Sequence, residues 1–153
     1  MAAANTPSVQ PIFTRQGEVS CNSGAFGTAN MSFGALVTAT GDYTGVSASH
    51  IKVFTADENN GGYLQRLRFK SKGTNTASVA RIYLNNGGAQ TVANNNAFFG
   101  EQSLPATTAT ATGATLDIDY PMNIALNPGF QVWVGLGTTV AAGWICTPVG
   151  GRY

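Results

Sequence analysis

Charged residues are the scarcest large class in this sequence. Eight Lys and Arg and seven Asp and Glu make up 10% of the 153 residues and leave a net charge of +1, whereas an average soluble domain has about 25% charged residues. A general nucleic-acid or membrane-surface binder carries a clear excess of basic charge. The composition therefore argues against both kinds of partner.

Histidine and cysteine are almost missing. The chain has one His and two Cys, with no Cys-x-x-Cys pattern and no His at ligand spacing, so we predict neither a metal site nor a cofactor. We expect Cys21 and Cys146 to be unreactive thiols rather than a disulfide, because a reducing cytoplasm disfavours disulfides. There is no Gly-x-Ser-x-Gly motif beside His50, and we expect this histidine to make ordinary hydrogen bonds. The prediction is a non-enzymatic protein.

Long apolar runs are absent as well. No stretch of 18 apolar residues occurs, so we expect no membrane span. Residues 1–7 lack the basic and apolar regions of a signal peptide, which predicts synthesis in the cytoplasm.

What the chain does have is glycine, at 19 positions, and short period-two segments separated by Gly and Asn clusters. This pattern predicts an all-β protein with eight or nine strands and minimal helix. We predict an antiparallel β-sandwich that is jelly-roll-like, with an Ig-like sandwich or an open barrel as alternatives. Residues 1–11 are predicted to be an extended N-terminal arm, and 12–153 a single domain.

The predicted strands end at turn-forming residues. Residues 57–60 and the Gly and Asn clusters are interpreted as turns rather than calcium or phosphate sites, because they lack the spacing of either motif. The strands are predicted at 35–40, 51–55, 63–72, 79–84, 98–104, 116–120, 130–136 and about 143–149, with a short one at 123–126, turns at 85–88 and 127–129, and a loop at 106–114.

A row of basic residues stands out on the strand at 63–72. Its odd positions, Tyr63, Leu67 and Phe69, are predicted to be buried and its even positions basic. Three interpretations stay open: a solvated face that also guards a sheet edge, a docking site for an acidic protein surface, and, less favoured, a nucleic-acid site, because the aromatic residues face away. The row comprises Arg66, Arg68, Lys70 and Lys72, with Arg81 expected on a neighbouring strand.

Asp117 and Asp119 lie two apart on one strand and therefore share a face. Such a pair could bind Ca²⁺ or act as an acid and a base. No third carboxylate is near in sequence, so we favour a solvent-facing pair on a strand whose Leu116, Ile118 and Tyr120 are buried.

Trp133 alternates to the face opposite Val132 and Val134, so it points into a second packed layer or outward. An exposed Trp marks an interface or a ligand platform. We favour a partner contact over a sugar-binding platform.

Segments across residues 63–153 resemble a recurring pattern. They are Asn127-Pro128-Gly129-Phe130 with 132–138 and Ala141-Ala142-Gly143-Trp144, preceded by 67–69, 81–87, 99–101 and 104–105. This pattern resembles small virion structural proteins of tailed bacteriophages, such as head decoration (cement) or minor tail proteins.

The resemblance implies a β-sandwich that assembles on a viral particle as a homo-oligomer, with a trimer favoured, and it carries over no active-site residue. We expect a capsid decoration protein that binds the major capsid protein and stabilises the head exterior. The alternative is a tail or receptor-binding component with a glycan-binding sandwich. The expected contact residues are Val9, Ile12 and Phe13 of the arm region, the basic row with Arg81, and Trp133.

Overall fold

The computed structural model describes residues 43–152, and the predicted arm, the predicted strand at 35–40 and the contact residues Val9, Ile12 and Phe13 lie outside this range. The described residues form seven strands and one short 3-10 helix at Ala93–Asn95. The strands are β1 (Ile51–Thr55), β2 (Gly62–Ser71), β3 (Ser78–Asn85), β4 (Asn96–Leu104), β5 (Asp117–Leu126), β6 (Gln131–Leu136) and β7 (Trp144–Arg152).

The seven strands make two antiparallel sheets, one with the order β1-β6-β3-β4 and one with the order β5-β2-β7. The chain changes sheet at every connection except that between β3 and β4. Repeated crossing between two sheets is typical of a jelly-roll-like sandwich. The all-β sandwich predicted from the period-two pattern is confirmed.

The core lies between the inner faces of the two sheets. Leu67 and Phe69 from β2 and Ile82 from β3 are completely buried there, with Val132 and Val134 from β6. Each comes from a strand whose side chains alternate between the core and the outside, as the pleat requires.

Strand β5 combines two predicted strands into one. The sequence suggested a break at Pro121, but β5 continues through it to Leu126. The proline is tolerated because β5 is an edge strand, where a missing N–H does not interrupt the pairing with a further strand. A register shift against β2 and a positive φ of 49° at Asn123 mark the irregularity.

The inward face of β2 changes part-way along the strand. The pairing of β2 with both neighbours shifts between Leu64 and Arg66. Against β7, Gln65 is the extra residue of a β-bulge, whereas against β5 the extra residue lies on β5. Leu64 is therefore buried and Tyr63 is 38% exposed. The prediction that Tyr63 shares the buried face of Leu67 and Phe69 is wrong, because simple alternation does not hold across a bulge.

The segment before β1 covers part of the outer face of the four-stranded sheet. His50 stacks on Tyr83 of β3 at 4.6 Å between ring centroids, and Tyr83 packs near Phe98 of β4. The ring of His50 fits over Gly135 of β6, where a Cβ would lie 2.1 Å from the imidazole. Tyr83 is thus fully buried although it points away from the main core. The segment before β1 extends the hydrophobic packing to a third layer.

Candidate functional surface

The outer face of the β5-β2-β7 sheet carries three of the four cations of the predicted basic row. Arg66, Arg68 and Lys70 project from this face of β2, as the even-position pattern predicted, whereas Lys72 lies just beyond the end of the strand. Beside them, β5 presents Asp117 and Asp119, which are exposed as predicted. The pairing register sets Arg68 opposite Asp119 and Lys70 opposite Asp117. The face is thus a ladder of opposite charges.

Asp119 is the centre of this ladder. Arg68 donates from Nε to Oδ1 at 2.8 Å and from Nη2 to Oδ2 at 3.0 Å, a two-pronged contact that matches the planar guanidinium to the carboxylate. Arg66 Nε lies 3.4 Å from the same Oδ2. Lys70 Nζ pairs with Asp117 at 3.1 Å and also donates to the Thr115 carbonyl at 3.0 Å. Three cations face two carboxylates, so the row is largely neutralised.

Arg81 does not join this row. It lies on β3, in the other sheet, and its Nε pairs with Glu101 Oε1 of β4 at 3.0 Å. Its guanidinium also stacks over the Tyr43 ring at 4.4 Å. The expected single patch of five cations is therefore wrong, because sheet membership depends on long-range pairing that local spacing does not reveal.

Simple alternation also predicted the wrong environment for Leu116, which was expected to be buried. It precedes the first residue of β5 and is 39% exposed, whereas Ile118 and Tyr120 are partly buried against the core. Tyr120 reaches across to β4, where a Cβ on Gly100 would lie 2.2 Å from its hydroxyl. Burial along β5 is partial because an edge strand covers less of the opposite sheet.

Trp133 lies on the outer face of the four-stranded sheet and is half-buried. Its indole N–H donates to Gln131 Oε1 at 2.9 Å, and Lys52 Nζ sits 5.9 Å from the ring centroid. The indole N–H and the space beside the ring are thus occupied by side chains of the same chain. The half-buried ring is therefore less open than a platform on which a sugar would stack.

The loops at one end of the sandwich meet at a buried residue that sequence reasoning missed. Asn75, only 4% exposed, donates to Ser71 Oγ at 3.1 Å and to the Gly143 carbonyl at 3.0 Å. Its Oδ1 accepts from the backbone N–H groups of Ala142 and Gly143 at 2.9 and 2.8 Å. One amide therefore joins the β2–β3 loop to the β6–β7 loop. An Asn within a polar loop gives no periodic signal that would identify it.

Two of the segments interpreted as turns, at residues 57–60 and 127–129, are turns. Asp57 Oδ1 accepts from the N–H groups of Asn59 and Asn60, both at 2.9 Å. Gly129 has a φ of 74°, and Phe130 N–H donates to the Asn127 carbonyl, which matches a turn with Pro128 at its second position. The hairpin or tight corner predicted after Asn85 is a hairpin, because β3 pairs antiparallel with β4. Its loop is longer than a tight turn, since β4 begins only at Asn96.

Between residues 43 and 152, no group of three or more His, Cys, Asp or Glu is placed to hold a metal ion. Within the same range no helix has the length and apolar character needed to cross a bilayer. Comparisons with family models, curated proteins and solved structures found no match.

The ion pairs predict a shifted titration for Asp119. Its pKa is lowered because Arg68 hydrogen-bonds the carboxylate and adds positive charge, with a further contribution from Arg66. A carboxylate with a lowered folded-state pKa adds stability above the unfolded-state value of about 3.9, and this contribution is lost as the pH falls through the folded-state pKa. NMR titration should place the pKa of Asp119 below that value, and Arg68→Gln should raise it. Lys52→Gln, on the other sheet, is the control, and equal pKa values in all three proteins would contradict the ion-pair geometry.

Burial predicts an unreactive thiol at Cys146, on β7. The side chain is buried within the core, and this burial raises its pKa, which leaves almost no nucleophilic thiolate near neutral pH. In a Cys21→Ser background, we expect a thiol reagent to label folded protein at least ~100-fold more slowly than unfolded protein. Adding Ser103→Cys at an exposed position of β4 provides a fast-labelling control. Rapid labelling of Cys146 in folded protein would contradict its burial.

Proposed function

We propose that this chain is a non-enzymatic structural protein of a bacteriophage virion, which binds the exterior of the capsid and stabilises it. The proposal rests on the resemblance of residues 63–153 to small phage virion proteins, together with the surface chemistry of the sandwich. Such a decoration protein bridges neighbouring capsid subunits, and each stable contact buries more than about 1,000 Å². Several bridges must then break together before the shell can open.

The observation that carries this proposal is the internal pairing of surface charge. Arg66, Arg68 and Lys70 on β2 share the carboxylates of β5, and Arg81 pairs with Glu101 on the other sheet. Interface cores are depleted in charged residues because unpaired charges are costly to desolvate. A surface patch with few charges, most of them already paired, can be buried against a neighbour at lower cost.

The outer face of β5-β2-β7 is the docking surface that we favour. Three cations face two carboxylates, so a small positive excess remains to meet an acidic patch on the major capsid protein. Complementary charge of this kind sets orientation and speeds association. The exposed ring of Tyr63 adds an apolar contact on the same sheet.

Reconstitution on purified shells tests the proposal. Wild-type protein should co-sediment with capsids that lack it and raise the temperature at which they rupture. Arg68→Glu places a second carboxylate beside Asp119, and we expect it to weaken binding at least about tenfold. Lys52→Glu also reverses one charge but lies on the four-stranded sheet, and it should bind as wild type does.

Deletion of residues 1–11 tests the expected arm separately, because an arm that clamps a neighbouring subunit should be needed for full occupancy. Unchanged occupancy would remove the arm from the proposal. Equal binding by Arg68→Glu and Lys52→Glu would remove the β5-β2-β7 face. Failure of the wild-type chain to bind any shell, combined with strong and selective glycan binding, would favour the tail or receptor-binding alternative.

The expected homotrimer has its own readout. Light scattering on the purified chain should give three times the mass of the 15.8 kDa protomer. A monomer in solution that forms trimers only on the shell would also be consistent with the proposal, whereas occupancy without threefold clustering would contradict the trimer.

A further inference from the structure

The outer face of the β5-β2-β7 sheet has a different chemistry on each strand. Strand β5 presents the carboxylates of Asp117 and Asp119, and β2 presents the three cations that face them. On β7, Trp144, Cys146 and Pro148 are buried, so the residues between and after them point outward. This outward row of β7 is uncharged and half-buried, and it comprises Ile145, Thr147 and Val149. An acidic, a basic and a neutral row therefore lie side by side.

The three cations are not equally engaged with the carboxylates. Arg68 makes two hydrogen bonds to Asp119, at 2.8 and 3.0 Å, and the lysine of the row has a carboxylate partner of its own. Arg66 Nε lies 3.4 Å from Asp119 Oδ2 without forming a hydrogen bond. Among the described residues, the Arg66 guanidinium donates only to Gln65 Oε1, at 3.1 Å. The surplus positive charge of the face is therefore centred on Arg66.

Arg66 also has apolar neighbours. Its pairing partners are Pro121 on β5 and Val149 on β7, so the side chains directly opposite it are uncharged. Tyr63, three positions earlier on β2, is 38% exposed. An arginine beside aromatic and apolar side chains is typical of the few residues that supply most of the binding energy at an interface.

The chemistry of this face selects the kind of partner that fits it. A carboxylate accepts two parallel hydrogen bonds from a guanidinium, and apolar side chains beside that carboxylate would cover the outward row of β7. A nucleic-acid backbone fits less well, because it brings a series of phosphates, whereas this face offers one surplus cation beside two carboxylates that repel phosphate. The face therefore favours a protein surface with one acidic residue among apolar ones.

We propose that Arg66 is the residue that anchors the docking face, by binding a carboxylate of the major capsid protein whose apolar neighbours pack on the outward row of β7. This inference rests on the proposed function, because it names the chemistry of the partner at the same face. Arg68 acts through Asp119: it occupies both carboxylate oxygens and so leaves Arg66 available to the partner. The face thus combines an internal ion pair with one cation that is available for binding.

Co-sedimentation with purified shells over a range of NaCl concentrations tests the role of Arg66. Arg66→Gln should weaken binding at least about tenfold at low salt and make it less dependent on salt, because one ion pair across the interface is lost. Arg66→Lys keeps the charge but not the planar guanidinium, so we expect an intermediate affinity with the salt dependence retained. Lys52→Gln, on the other sheet, is the control and should bind as wild type does.

Asp119→Asn should change binding in the opposite direction, which damage to the fold cannot imitate. The substitution removes the carboxylate that competes with the partner for both arginines. Binding to an acidic partner should therefore become tighter, and it should fall more steeply as the salt concentration rises. Weaker binding by the folded variant would overturn the proposal.

Val149→Thr and Val79→Thr are matched variants for the outward row of β7. Each replaces a half-buried, outward-facing valine, one on β7 and one on β3 of the other sheet. Val149→Thr should weaken binding about threefold with unchanged salt dependence, because it places a hydroxyl in an apolar contact. Val79→Thr should bind as wild type does, and equal binding by the two variants would remove the outward row from the interface.

The results separate this inference from the proposed function. If wild-type protein binds shells and Arg66→Gln binds them equally well with equal salt dependence, the inference is overturned while the capsid proposal stands. Equally tight binding of the wild type to shells and to naked duplex DNA would assign the face to nucleic acid and would also overturn it. Failure of the wild type to bind any shell would overturn the proposed function and this inference together.

Discussion

Asn75→Ala should lower the free energy of unfolding by about 3 kcal/mol, because it leaves several buried polar groups without partners at once. The amide donates to the Gly143 carbonyl and accepts from the N–H groups of Ala142 and Gly143. The site is only 4% exposed, so bulk solvent has little access to the groups that lose their partners. Urea denaturation followed by tryptophan fluorescence measures the change, since Trp144 follows Gly143 directly.

Asn86→Ala is the matched control for this substitution. Asn86 is exposed in the β3–β4 loop, where its Oδ1 accepts from Gly88 N–H at 2.9 Å. An exposed turn contact of this kind contributes little, so we expect a loss under about 1 kcal/mol. Equal losses in the two variants would show that Asn75 is an ordinary loop residue and does not hold the two loops together.

Phe69→Ala should cost about 3–5 kcal/mol, the usual range for removing a fully buried phenylalanine. Phe69 is completely buried in the core, whereas Tyr63, six positions earlier on the same strand, is 38% exposed. We therefore expect Tyr63→Ala to cost less than about 1 kcal/mol. Thermal or urea unfolding of the two variants measures the difference.

Leu64→Ala completes this test of the β-bulge. Leu64 is fully buried because the register shift between Leu64 and Arg66 turns it inward. Its truncation should cost about 2–5 kcal/mol. Uninterrupted alternation makes the opposite prediction, in which Tyr63→Ala is severe and Leu64→Ala is mild, and that result would mean the strand has no bulge at Gln65.

The bulge shows where sequence reasoning succeeds and where it stops. Local alternation and breakers predicted the strands at 51–55, 79–84 and 98–104, because strand formation and its ends depend on neighbouring residues. No residue pattern around Gln65 indicates that it is the extra residue of a bulge. The pairing of β2 with both partner strands decides which of its side chains face the core before and after Gln65.

The position of the charged ladder also depends on long-range strand pairing. The prediction that Asp117 and Asp119 share one solvent face of a strand is confirmed. Four cations were predicted on one face of another strand, and three of them lie there, since Lys72 falls beyond the end of β2. That the two faces are adjacent follows from the β2–β5 register, which joins residues about 50 positions apart. Arg81 was assigned to the wrong sheet for this reason.

Asn75 and the outer layer above Tyr83 lay beyond pattern-based prediction for a different reason. Their roles depend on loops that meet only once the sheets are packed. A single Asn, His or Gly in a polar segment is not part of a periodic pattern, so its role cannot be predicted from periodicity. His50 lies just before β1 and Gly135 lies near the end of β6. The folded sheet places the imidazole where Gly135 has no side chain.

The central claim is that this chain is a structural protein of a virion, bound to the outside of the capsid. Its most direct test is quantitative mass spectrometry of gradient-purified particles of the virus that encodes the chain. Imaging of the same particles labelled with a specific antibody shows where the protein lies. The account predicts the protein at a fixed stoichiometry to the major capsid protein, with label distributed over the heads. Absence from purified particles, or label confined to the tails, would contradict it.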